Sequence, residues 1–192
     1  MSLKNSAALE FLLSRRSRPA KTLVAPAPTR EDLLPLLTAA ARSPDHGKLE
    51  PWRFIVFEQG AMPRLAQLVE QRGKELKKSG EDIAKARSQF DMGLLAVAVI
   101  EVQKQSEKIP AIEQTYSTGA VCLALLNAAL ASGWGANWLT GWPSHDQKFC
   151  EAGLGLAENE RLAGFIHIAT EGSAPPERPR PDIQKITEWV SK

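Results

Sequence analysis

TGAVCLALLNAALASGWGANWL, running from Thr118 to Leu139, carries no charged side chain, and the structure it adopts decides the fold. A membrane-spanning helix needs about 20 predominantly apolar residues. Asn127, Asn137 and several glycines make this stretch a poor candidate for one. It reads instead as two elements. The apolar run completes a helix from about Ile112 to Ser132, and GWGANWL returns to extended structure. A helix that is apolar on most faces is expected at the centre of a domain.

The neighbouring segments supply the layers around it. LLAVAVIEV, Leu94 to Val102, is almost wholly apolar and rich in branched residues, as expected for a strand covered on both faces. RFIVFE, Arg53 to Glu58, puts Phe54, Val56 and Glu58 on one side, and RLAGFIHIAT, Arg161 to Thr170, is the last good strand. Ser6 to Arg15 forms a helix with Leu9, Leu12 and Leu13 on one face. Thr29 and Asp32 make a capping box ahead of Leu33, Leu36, Leu37 and Ala40, with Pro35 an awkward member. Met62 to Ser79 and Glu81 to Phe90 are charged enough to be surface helices, and Ser144 with Gln147 opens one more. This order predicts an α+β layer fold rather than a strictly alternating βαβ sheet.

Length fits one domain over residues 1–192, with an extended proline-rich tail from about residue 172 that should run over a surface, another subunit's included. At 43% hydrophobic and 24% charged residues, composition sets aside disorder and fibrous classes. Cys122 and Cys150 form no CxxC pair, so a reducing, cytoplasmic location is the expectation. The net charge of +2 gives no reason to expect nucleic acid or membrane partners. It hides an asymmetry, however: residues 1–30 hold six basic side chains (Lys4, Arg15, Arg16, Arg18, Lys21, Arg30) against one acid, Glu10, which suits an anionic ligand.

Signatures of hydrolases, kinases and zinc enzymes are missing, and the three histidines lie far apart with no metal spacing, so no metal site is expected. Three segments remain. In SRRSRP, the planar forks of Arg15 and Arg16 beside the Ser17 hydroxyl suit a phosphate monoester. Basic residues near a helix C-terminus also meet its dipole favourably, so this segment alone leaves both readings open. ARSPDHGKLEPWRF, Ala41 to Phe54, crowds Arg42, Asp45, His46, Lys48 and Glu50 into one turn. GWGANWLTGWP gathers Trp134, Trp138 and Trp142, either as planes for a flat ligand or as a packed apolar corner.

Taken in order, these segments resemble the FMN-dependent nitroreductase family, most closely its small YdjA-like branch. Arg15-Arg16-Ser17 ends a first helix. Arg42-Ser43-Pro44-Asp45-His46 is followed by Pro51-Trp52-Arg53-Phe54. Lys108-Ile109-Pro110 with Glu113-Gln114 precedes the central helix, and Gly133 to Gly141 follows it. The resemblance implies a layered fold with a mainly antiparallel sheet, a long buried central helix and a homodimer. It further implies FMN at the subunit interface, NADH or NADPH as electron donor, and a nitroaromatic, quinone or related small molecule as acceptor by a ping-pong route. Arg15, Arg16 and Ser17 would contact the FMN phosphate and nearby ribityl or ring edge. Arg42 and His46 would contact FMN from the same or the opposite subunit, and Trp138, Leu139 and Thr140 form a second FMN-contacting stretch. Ala131, Ser132, Gly133, Trp134, Gly135 and Ala136 match the nicotinamide position. No catalytic side chain is implied, because the flavin carries the hydride chemistry.

Two positions depart from the pattern. Glu50, a further expected FMN contact, stands where the family has Gln: its carboxylate would accept from the flavin N3 hydrogen but disfavour an anionic reduced ring, so it lowers the redox potential, turns away or is protonated. Leu139 and Thr140 replace Arg and Ser, which removes one positive contact. Two other readings stay open: the same fold and flavin used for another reduction (an enone or flavin reductase, or a flavin-consuming oxygenase), and a non-enzymatic module that binds an anion or nucleic acid. The latter lacks the interleaved basic and aromatic groups of a strand-binding groove.

Overall fold

A computed structural model describes residues 3–192. In chain order it comprises α1 (Ser6–Ser14), β1 (Leu23–Val24), α2 (Arg30–Ala40), β2 (Trp52–Glu58), α3 (Met62–Glu75) and α4 (Gly80–Asp91). There follow β3 (Leu95–Val102), α5 (Ala111–Ala131), β4 (Gly135–Leu139), α6 (Gln147–Leu154) and β5 (Glu160–Glu171).

β5 is the hub of the sheet. Its residues Phe165, Ile166 and His167 pair with Ala98, Val97 and Ala96 of β3 on one edge, and with Leu139, Trp138 and Asn137 of β4 on the other. β2 extends the sheet beyond β3, and β1 joins the far end of β5 through Leu23 and Val24. All these pairings are antiparallel. Alternate residues of a strand face opposite sides, and both sides are covered here, which explains the unbroken apolar run in β3. Val97 and Val99 meet Leu33 and Leu36 of α2 and Val121, Leu125 and Leu126 of α5. Ala98 and Ile100 meet Leu65 and Val69 of α3, Phe90 of α4 and Phe149 of α6. Each large side chain so buried contributes about 1.5–3 kcal/mol. In β2, Phe54 joins the α5 side, whereas Phe57 is buried on the other and Val56 and Glu58 are exposed.

The capping box on α2 forms as its sequence suggests, with Asp32 N donating to Thr29 Oγ1 at 3.2 Å and Thr29 N to Asp32 Oδ2 at 2.9 Å. The cap of α6 does not. Asp146, rather than Ser144, occupies the N-cap and accepts from Phe149 N at 2.9 Å, while Ser144 sits in the preceding 3-10 turn with its buried hydroxyl unpartnered. The reason is long-range: Arg72 of α3 grips both oxygens of Asp146, at 2.7 and 2.9 Å, and fixes the start of α6 there. The Arg72 bonds hold the Asp146 carboxyl below its ordinary range. A depressed carboxyl stabilises the fold above its unfolded pKa, and that stability is lost as pH falls through the folded value. Melting temperature should therefore drop as pH is lowered below about 4. Asp146→Asn should be less stable than wild type at neutral pH and show a shallower decline in acid.

Several apolar side chains have no cover within the protomer. α5 is buried along the sheet yet exposes Ile112, Tyr116 and Leu123 along its outer side. No residue of α1 is buried, and Leu9, Leu12 and Leu13 face outward. Beyond β5, residues 173–182 have no helix or strand, and past them Ile183, Ile186, Val190 and Trp189, the last 91% exposed, project from the chain.

Candidate cofactor site

The basic segment after α1 is held against the C-terminal end of β5. Arg18 N donates to Ala136 O at 2.8 Å, Arg18 Nη1 to Arg16 O at 3.0 Å, and Arg18 Nε lies 2.6 Å from Glu171. Arg18 is thus committed to the fold. Arg15 and Arg16 are not: Arg15 Nη2 donates to Ser17 Oγ at 3.1 Å and Arg16 Nη2 to Pro176 O at 3.0 Å, but the Nε of each is buried without a partner. Burial, and then the charges of Arg180, Arg16 and Arg18, pull the Arg15 guanidinium below its usual pKa. Glu171 offsets Arg18, and Glu177 lies 3.0 Å from Arg180, whereas Arg15 and Arg16 have no carboxylate partner among the described residues.

Arg180 is a member that sequence reasoning missed. It comes from the tail, whose path back to α1 is visible in the Arg16–Pro176 bond. The alternation of arginine and proline in ERPRP was its only local signal.

Next to this cluster lies a groove of about 480 Å³ between the turn after Arg18, α4 and the end of β4. Leu139 and Thr140 line it, as do Lys21, Lys85, Asn137 and Trp142. α4, read from sequence as a plain surface helix, forms one wall. Trp138 points its polarity elsewhere: its Nε1 donates to Ala163 O at 3.2 Å and its ring packs with the α5-side core. The predicted nicotinamide stretch forms the end of α5. Gly133, at φ +84°, stops the helix, with Gly133 N bonded to Leu130 O at 3.2 Å and Trp134 N to Ala129 O at 3.0 Å. Ala131, Ser132 and Gly133 are exposed, Trp134 is half-buried, and Gly135 and Ala136 are buried.

Arg42, His46 and Glu50 lie elsewhere. His46 Nδ1 sits 2.8 Å from Glu113 Oε2 in the first turn of α5. Thr118 Oγ1 donates to Pro51 O at 3.0 Å, tying the chain after the turn to the same helix. Arg42 and Glu50 are exposed, and Glu50 takes a left-handed φ of +47°, with its N–H bonded to Asp45 Oδ2 at 3.0 Å. This turn lies by the N-terminal end of α5, and the arginine cluster lies past its C-terminal end. The 21 residues of α5 span about 30 Å. The sheet gives the same separation: Trp52, after the turn, aligns with Glu101 and Arg161, whereas Arg18 meets Glu171 ten residues further along β5. The chain thus holds Arg18 and its neighbours Arg15, Arg16 and Ser17 at the Glu171 end of β5 and Arg42, His46 and Glu50 by the Arg161 end, with Leu139, opposite Phe165, and Thr140 between them in the groove that begins at Pro19.

No side chain here serves as a ready nucleophile. Burial pushes the Cys122 thiol up to about 12 and the Cys150 thiol up to about 11. His167, 2% exposed and packed between Phe90 and Phe165, is pulled down by burial to about 4 and is therefore neutral near pH 7.

An α+β sheet with a long central helix and an arginine cluster fits one class closely, and the nitroreductase family profile matches residues 12–170. The chain belongs to the nitroreductase family, a family of oxidoreductases. Among its relatives, the Escherichia coli (strain K12) protein named "Putative NAD(P)H nitroreductase YdjA" is 34% identical over 163 residues, covering 85% of this chain and 87% of that one. A Haemophilus influenzae protein named "Putative NAD(P)H nitroreductase" is 33% identical over 164 residues, covering 85% and 88%. Solved structures agree on the fold. A nitroreductase-like family protein from Bacillus cereus aligns with TM-score 0.80 at 24% identity over 99% of this chain and 98% of that one. A Desulfovibrio desulfuricans protein described as "a putative nitroreductase in complex with fmn" aligns at 0.76 with 18% identity over 99% and 100%. Among the described residues, no helix is long and apolar enough to cross a membrane.

Proposed function

We propose that this chain is an FMN-dependent NAD(P)H oxidoreductase that works as a homodimer and reduces nitroaromatic, quinone or related small-molecule acceptors in a ping-pong cycle. The observation that carries this reading is the arginine cluster. Among the described residues no acceptor meets the buried Nε groups of Arg15 and Arg16, and Arg180, itself paired with Glu177, adds its charge beside Arg15. A phosphate dianion supplies both the charge and the acceptor oxygens that these groups lack. The relatives' names and the FMN in the Desulfovibrio desulfuricans protein agree with the choice of ligand.

When bound, FMN supplies the hydride chemistry. The chain's own residues bind and orient it. Arg15, Arg16 and Ser17, with Arg180, hold the phosphate; Leu139 and Thr140 line the adjoining groove; and the exposed residues Ala131 to Trp134 offer the nicotinamide its contact. Gly135 and Ala136 lie behind that surface. Trp138 supports the β4 strand that presents Leu139 rather than offering its indole N–H.

The second half of the site comes from the partner. An isologous pairing of two antiparallel α5 helices buries Ile112, Tyr116 and Leu123 of each copy. The same pairing sets the N-terminal end of one α5 beside the C-terminal end of the other. Arg42 and His46 of one protomer then join Arg15 and Arg16 of the second, across the separation that keeps them apart in one chain. The apolar face of α1 and the projecting Ile183, Ile186, Trp189 and Val190 extend the surface that a copy covers. Glu50, exposed in the protomer, lies within this partner-supplied half, where its charge sets the redox potential.

Purified protein titrated with FMN should show one bound, perturbed flavin absorption band per protomer, and anaerobic NADH or NADPH should bleach it. Protein that leaves excess FMN free in solution contradicts the reading.

A further inference from the structure

The Glu113-Gln114 pair at the start of α5 divides its labour. Gln114 is buried and clamps the backbone of Lys104, accepting from its N–H at 2.8 Å and donating to its carbonyl at 2.9 Å. That is structural work. Glu113, one residue earlier, reaches His46 Nδ1 at 2.8 Å instead, with the imidazole 60% and the carboxylate 43% exposed. A contact so open to solvent adds little to stability. An acid in a helix's first turn also meets the helix dipole favourably, yet that requires no imidazole and no ordered turn.

The turn is ordered by several independent constraints. Gly47 adopts φ +72°, and a Cβ built on it would stand 2.5 Å from Ile109 Cδ1, so the turn packs directly on the segment leading into α5. Lys48 and Glu50 both hold left-handed φ values, 56° and 47°, and Asp45 Oδ2 accepts from Glu50 N. Non-glycine residues in that region cost conformational energy, which persists only where surroundings enforce it and which concentrates at functional sites. The result is a histidine presented on a rigid turn with one nitrogen occupied.

Resting on the FMN reading, we propose that Glu113 is a positioning residue for His46: it accepts the Nδ1 proton, fixes the ring, and leaves Nε2 as the free position offered to the composite site. A carboxylate partner selects the Nδ1–H tautomer of a neutral imidazole. Nε2 is then an acceptor for a ligand N–H. On protonation it becomes a donor to a ligand oxygen, and Nδ1–H stays on Glu113 throughout. This gives the site one ring nitrogen of defined role.

The test uses the full-length protein without flavin and long-range proton–nitrogen NMR of its three histidines, at a pH where exposed rings are neutral. His46, assigned through His46→Ala, should show the Nδ1–H tautomer in wild type and in Glu113→Gln, which keeps an acceptor oxygen. In Glu113→Ala it should shift to a mixture dominated by Nε2–H. On the flavin-loaded protein, Glu113→Ala should lose about tenfold in turnover and the Glu113→Ala/His46→Ala pair no more than His46→Ala alone, since residues acting through one another are not additive. An unchanged tautomer in Glu113→Ala, wild-type turnover, or losses that simply add would overturn the proposal. Because the tautomer is read without flavin, a protein that binds no FMN but shows the Nδ1–H form sinks the cofactor reading and leaves the positioning role standing.

Discussion

Replacing Arg15 and Arg16 together by alanine should abolish FMN retention while the protein stays folded. Each guanidinium has a buried Nε with no acceptor, and no carboxylate partner, among the described residues, so its removal strands no carboxylate there. Hydrogen bonds to charged groups contribute about 1.5–3 kcal/mol each, so two such contacts account for about 3–6 kcal/mol. That corresponds to a weakening of roughly 10²- to 10⁴-fold in FMN affinity. Fluorescence titration of the apo variants with FMN reads this directly. Arg18→Ala is the informative contrast. Arg18 pairs with Glu171 and bonds the backbone of Arg16, so its loss should lower the melting temperature and affect FMN through the fold. A double variant at Arg15 and Arg16 that keeps its flavin would remove the phosphate assignment.

How much of this was legible in the sequence follows from where each signal is stored. The long helix, the covered strand β3 and the cap at Thr29 are local patterns, and they form within a residue or two of where periodicity and capping chemistry put them. The arginines after α1 were visible as an unusual cluster, although local pattern alone favoured helix-dipole compensation. Only tertiary structure separates Arg18, ion-paired with Glu171, from Arg15 and Arg16, which have no carboxylate partner among the described residues. Ser144 shows the limit in the other direction. Its spacing to Gln147 suits a capping box, but Arg72, far away in the chain, anchors Asp146 and moves the cap by two residues. Arg180 and the α4 wall of the groove were missed for the same reason: each reaches the site by a return of the chain that leaves no periodic trace. Glu113 was visible as a motif, and its bond to His46 gives that motif a physical purpose.

The second large effect concerns the partner. Because Arg42 and His46 stand at the opposite end of α5 from Arg15 and Arg16, variants in either group should empty the site although each protomer retains the other half intact. Homodimers of Arg42→Ala/His46→Ala should therefore lose flavin, as should homodimers of Arg15→Ala/Arg16→Ala. Pairing the two variants separates their defects. If each site draws one half from each chain, as proposed, then in a mixed dimer one site carries both sets of substitutions and the other carries neither.

Co-expression of the two variants under different affinity tags, followed by purification through both, isolates that mixed dimer for measurement of bound FMN by visible absorption. The composite site predicts about one FMN per mixed dimer, against about two for wild type and nearly none for either parent. A mixed dimer as colourless as its parents, or an Arg42→Ala/His46→Ala homodimer that keeps its flavin, would contradict a site shared between subunits.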